Sequence, residues 1–132
     1  MTDESTPACT RTDKPDYIAL TFRESSRKAV DELLVHMFAI LADPPDRNVI
    51  RIFISSAPSA GPQPIMYLMQ QLRANRPRLE SDRSLRIAVI FNFSPLAHMI
   101  NAFISVLKMP GLVSRFYTVG QEDAALDWLM SE

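Results

Sequence analysis

Two histidines, one cysteine and a serine-rich loop are the residues of this chain with the greatest chemical reach. His36 and His98 are its only histidines and Cys9 its only cysteine. A zinc site needs three or four ligands at short spacings, and no Cys, Asp or Glu stands at such a spacing from either histidine. For His98 to act as a base, a nucleophile and an orienting acid would have to stand beside it, and the sequence places neither. One cysteine forms no internal disulfide. Cys9 lies in a polar stretch where nothing lowers its pKa, so it reads as an incidental tail thiol. The three glycines, Gly61, Gly111 and Gly120, are far apart, and neither GxGxxG nor the P-loop pattern occurs. Asn92 follows the third expected strand, where a phosphoryl-receiver domain would need an aspartate. No catalytic centre, metal site or cofactor is expected, and the chain reads as a non-enzyme.

The elements that would position any site follow from composition and periodicity. With 132 residues, 47% hydrophobic and 22% charged, the chain suits one globular domain with one core. A net charge of −1 gives no support to nucleic-acid binding, which needs a basic surface to displace counterions. Residues 1–15 lack periodic hydrophobics and are expected to form a disordered tail, with the domain spanning 16–132. The N-terminus has no apolar core and carries Asp3 and Glu4, which fits neither a secretory signal nor a transit peptide. Nor is there an apolar run of the roughly 20 residues that cross a bilayer. The expected location is therefore cytoplasmic.

Residues 17–22 read as a strand, and Ser25 or Ser26 caps a helix whose apolar face runs from Val30 to Leu41. Pro44-Pro45 ends that helix. Residues 49–54 form a near-continuous apolar strand, followed by a loop to Pro62 and a helix carrying Ile65, Leu68, Met69 and Leu72. That helix stops before Pro77, and residues 78–83 read as a solvated connection. Residues 85–91 form the central strand, and Ser94-Pro95 opens a third helix reaching about Lys108. A fourth strand covers 113–119 and a last helix 121–130. Four strand–helix units imply an α/β fold with a four-stranded, mostly parallel sheet and four helices.

Two surfaces stand out on this scaffold. The carboxyl ends of the strands gather Ser55, Ser56, Ser59, Asn92 and Ser94, with Thr118 and Gly120 at the end of the last strand. These small polar groups beside helix N-termini suit a polar or anionic ligand, or simply caps and turns. The second surface is apolar. Around a narrow polar stripe on the third helix lie Met99, Phe103, Ile104 and Leu107, a wider arc than packing on one side of a sheet requires. The first helix shows a similar surplus at Val35 and Ile40. Surplus apolar helix surface suits a protein partner, a second copy in a homodimer, or a small apolar or lipid-like ligand held between helices.

A family likeness sharpens this reading. Arg86-Ile87-Ala88-Val89-Ile90 as a central strand, Arg115-Phe116-Tyr117 in the next, and the closing Ala124-Ala125-Leu126-Asp127-Trp128-Leu129 carry it. Together they resemble the small SpoIIAA-like proteins of the STAS (sulphate transporter and anti-sigma factor antagonist) superfamily, across most of residues 17–129. The resemblance implies a regulatory domain that binds protein partners and, in some relatives, nucleotides or lipids. In the anti-sigma antagonists a serine in an Asp-Ser-Ser/Thr-Gly motif is phosphorylated to switch partner binding. Ser55-Ser56-Ala57-Pro58-Ser59-Ala60-Gly61 lies in the corresponding region. It lacks the preceding aspartate and the following glycine, so the phosphoswitch is not claimed, and Ser55 and Ser56 stand only as candidate phospho-loop residues. The chain also reads as having one opening strand where the family often has a hairpin.

Overall fold

The computed structural model describes residues 7–42, 49–57, 64–79, 84–91 and 112–131. The elements are β1 (Cys9–Asp13), β2 (Ile18–Phe22), α1 (Arg27–Ala42), β3 (Val49–Ser56), α2 (Ile65–Ala74), α3 (Arg76–Leu79), β4 (Ser84–Phe91), β5 (Leu112–Thr118) and α4 (Glu122–Met130). The fold is mixed α/β, and the sheet has five strands in the order β1-β2-β3-β4-β5, one more than the sequence suggests. β1 runs antiparallel to β2, and the remaining pairs are parallel.

The extra strand lies inside the stretch expected to be a disordered tail. Cys9 pairs with Phe22 and Asp13 with Ile18, and the Lys14 N–H donates to the Tyr17 carbonyl at 2.9 Å across Pro15-Asp16. The chain thus opens with a hairpin. Cys9 is buried in the core rather than exposed on a tail.

Period-two burial assigns the sheet's two faces. Ile18, Leu20 and Phe22 of β2, Ile50, Ile52 and Ile54 of β3, and Leu85, Ile87 and Val89 of β4 share one buried cluster. Helix α1 closes it with Ala29, Val30, Leu33, Leu34, Met37 and Ile40, and α2 adds Leu68. Sequential strand order with crossovers of one hand puts both connecting helices on this face. α4 follows the last described strand and covers the other face. There Ala125 and Leu129 pack on Ala88 and Ile90, with Tyr17, Phe53, Tyr117, Leu126 and Trp128 around them.

Two local expectations change. Ile40 does not lie outside the main face of α1: it is three residues after Met37 and seven after Leu33, which returns it to the buried stripe. Pro77 does not give way directly to a solvated connection. It sits in the first turn of α3, where a missing N–H costs no helical hydrogen bond, and the Arg78 guanidinium lies 3.9 Å from the centre of the Phe38 ring on α1. The third helix expected at about 94–108 falls outside the described residues.

Candidate functional site

At the carboxyl end of β3, Ser55 is in register with Thr21 and Ser56 with Phe22. Both serines are half-buried, and the Ala57 N–H donates to the Phe22 carbonyl at 2.8 Å, extending the pairing past the strand end. Ser59, Asn92 and Ser94 lie outside the described residues. The Thr118–Gly120 corner is filled by its own chain. Gln121 Oε1 accepts from the Thr118 N–H and hydroxyl at 3.0 and 3.1 Å, and Glu122 Oε1 accepts from the Gly120 N–H at 3.0 Å. Gly120 holds φ at +100°, a left-handed conformation that favours glycine. Glu122 and Asp123 already place negative charge in the first turn of α4, where the helix dipole favours it. That corner is a turn and a helix start, and its carboxylates repel an anion.

The apolar surface is only partly on view. Val35 is 62% exposed, whereas Ile40 is buried. Met99, Phe103, Ile104 and Leu107 lie outside the described residues. Met66 on α2, which the periodicity does not single out, is 67% exposed. Arg27, Asp31 and Tyr67 hold α1 and α2 together: the Tyr67 hydroxyl donates to Asp31 Oδ1 at 2.6 Å, and Arg27 lies 5.0 Å from the ring centre. The hydrogen bond to Asp31 pushes the Tyr67 phenol above its ordinary range.

Beneath α1, polar groups fasten the opening hairpin. Glu32 Oε1 accepts the N–H groups of Ala8 and Cys9 at 2.8 and 2.9 Å. His36 Nε2 lies 3.0 Å from the Cys9 carbonyl oxygen, which only accepts, so Nε2 carries the proton. Burial, and after it the Glu32 charge, pushes the Cys9 thiol up to about 12. His36 is a fastening residue here and Cys9 an inert core thiol. His98 lies outside the described residues.

A cluster that the sequence reading missed occupies the opposite face. Arg51 of β3 is in register with Arg86 of β4, so both side chains point to the α4 side. Arg51 Nε donates to the Leu129 carbonyl at 2.9 Å. Arg86 donates to the Trp128 carbonyl at 2.7 Å and the Ser131 hydroxyl at 3.0 Å. The guanidinium groups of Arg86 and Arg115 lie 4.5 and 5.3 Å from the Trp128 ring centre. The signal was a repeated pattern, since Val-Ile-Arg-Ile and Ser-Leu-Arg-Ile each put a lone cation third in an apolar parallel strand. The arginines cap α4 and hold it on the sheet.

Among the described residues, no group of three or more His, Cys, Asp or Glu side chains is placed to hold a metal ion. No described helix is long and apolar enough to cross a membrane. Family models, curated proteins and solved structures yield no match to this chain.

Proposed function

We propose that the chain is a non-enzymatic interaction or regulatory module of the STAS/SpoIIAA-like kind, engaging a protein partner or a second copy through its helical layer. The observation that carries the proposal is the exposure of Val35 and Met66, both on helices that cover the same sheet face. An exposed valine and an exposed methionine on rigid, neighbouring helices suit an adaptable apolar contact. Met99, Phe103, Ile104 and Leu107 belong to the proposed surface on their sequence spacing alone.

The family reading gains support from where its residues fall. Arg86 to Ile90 lie within β4, Arg115 to Tyr117 within β5, and Ala124 to Leu129 within α4. The β1–β2 pair adds the opening hairpin common in that family. The module acts in the cytoplasm in this reading.

The test is a combined Val35→Glu and Met66→Glu variant, carried on a tagged chain in the cells that make it. The wild type recovers a protein at fixed stoichiometry, and the variant loses at least about tenfold of it with its melting temperature unchanged, since both sites are exposed. Equal recovery by both chains contradicts this surface. An apolar molecule in the organic extract of the purified chain, with no protein recovered, would shift the assignment to a small-ligand carrier.

A further inference from the structure

Two helices carry matching stripes on their outer faces. On α2, Met66, Gln70 and Arg73 are exposed at spacings of four and three, which set them along one side of the helix. Leu68, on the opposite side, is buried against the sheet. On α4, Asp123, Asp127 and Met130 repeat those spacings and are exposed as well, while Ala125 and Leu129 are buried. Met66 is 67% exposed and Met130 36%. Neighbouring charges are already engaged, since Arg78 lies over the Phe38 ring and Glu122 accepts from the Gly120 N–H. The side chains of Arg73, Asp123 and Asp127 make no hydrogen bond or ion pair with another described residue.

We infer that α2 of one copy packs antiparallel against α4 of a second copy. This rests on the reading of the helical layer as a contact surface, because Met66 belongs to it. Setting Met66 against the partner's Met130 places Arg73 against the partner's Asp123, since each helix advances seven residues, about 10.5 Å, between those positions. Gln70 and the partner's Asp127 fall between them, about 6 and 4.5 Å along from the methionine pair. Thioether then meets thioether, amide meets carboxylate and guanidinium meets carboxylate. The two helix dipoles also run in opposite directions. A parallel alignment would set Met66 against Asp123 and Arg73 against Met130. Two copies of α2 would set Met66 against Arg73, and two copies of α4 would bring the Asp127 carboxylates together. Charge and spacing therefore select the mixed, antiparallel pair.

The topology makes this contact intermolecular. α2 packs on the sheet face that it shares with α1, and α4 packs on the other, so the sheet separates a chain's own α2 from its own α4. Each copy offers α2 to one neighbour and α4 to another, a heterologous contact that closes as a ring or continues as an open chain. One helix pair is a small interface with two polar rungs out of three. The association is accordingly reversible and weakens as salt is added.

Arg73→Glu, Asp123→Arg and the double variant test the pairing by sedimentation velocity at low salt, over roughly a hundredfold range of concentration. The wild type assembles beyond the monomer as its concentration rises. Each single variant sets like charges together and assembles at least about tenfold more weakly. The double variant, with the ion pair reversed, regains assembly. So does an equimolar mixture of the two single variants, because the new glutamate of one meets the new arginine of the other while native Arg73 meets native Asp123. Circular dichroism checks that each variant keeps its fold. Met66→Glu with Met130→Lys repeats the test at the other end of the register.

A wild type that stays monomeric over that range overturns the inference, as do single variants that assemble like the wild type. Folded single variants whose mixture stays monomeric overturn the pairing of α2 with α4. Val35 lies on α1, outside this contact, so Val35→Glu leaves the assembly at wild-type strength. An assembly that Val35→Glu dissolves and the charge variants leave intact overturns the inference while supporting the α1 surface. A monomeric wild type whose recovered partner is lost on Val35→Glu does the same, so the two readings fail separately.

Discussion

Glu32 accepts the N–H groups of Ala8 and Cys9 while its charge helps hold the Cys9 thiol protonated. Replacing it by alanine leaves two N–H groups on buried residues without an acceptor, a cost of about 1–3 kcal/mol. Glu32→Gln keeps an acceptor oxygen and loses less. Denaturant unfolding of the two variants should follow that order. Cys9 offers an independent reading. A thiol reagent at mild alkaline pH should label the native chain only as fast as β1 opens, and Glu32→Ala should speed that labelling; wild-type labelling at the rate of a free thiol would contradict the burial. The pH dependence has a fixed sign. The folded thiol titrates near 12 against an ordinary 9.0, so an unfolded chain releases its proton first. The stability Cys9 contributes is whole below about pH 9 and is lost as pH rises through the interval to about 12.

At the scale of elements, α4 shows how a short helix is fixed without ends of its own making. It has acids in its first turn and no base in its last, so the cations its C-terminus favours come from the sheet. Arg51 and Arg86 donate to its last carbonyls. Arg86 Nε is buried with no hydrogen-bond partner among the described residues, a cost offset by the guanidinium's place over Trp128. Trp128 is the only tryptophan in the chain, so its fluorescence reports α4 directly. Arg86→Met should lower stability by about 1–3 kcal/mol and shift the emission. Arg115→Met should shift emission with little change in stability, because Arg115 is exposed. Equal effects from the two would contradict the capping role of Arg86. Period-two and period-3.6 patterns reveal each of these elements in the sequence, because burial imposes them locally. Which arginine reaches which carbonyl depends on strand register, and only the pairing of Arg51 with Arg86 supplies it.

For the whole molecule, the alternation of strands and helices among the described residues from Tyr17 onward is legible because each unit carries its own apolar stripe. The opening strand is not. Cys-Thr-Arg-Thr-Asp has little apolar pattern, and what holds it is the backbone of β2 together with Glu32 and His36, more than twenty residues away. The candidate surface is half legible for a related reason. Val35 and Ile40 look alike as surplus apolar positions on one helix, yet one faces solvent and the other lies in the core. Helical spacing from Leu33 and Met37 returns Ile40 to the buried stripe and leaves Val35 off it. Among the described residues, the exposed large apolar side chains are Val35 and Met66 on the helical layer, Val113 on β5, Val119 just past it, and Met130 at the end of α4. The central claim is that the helical layer is a contact surface, and a photo-crosslinking side chain at position 35 in living cells tests it most directly. The account predicts one discrete crosslinked species from that position, partner or second copy, and none from another exposed position such as Thr12 on β1. Crosslinks that are absent at position 35, or no more discrete than those at position 12, would contradict it.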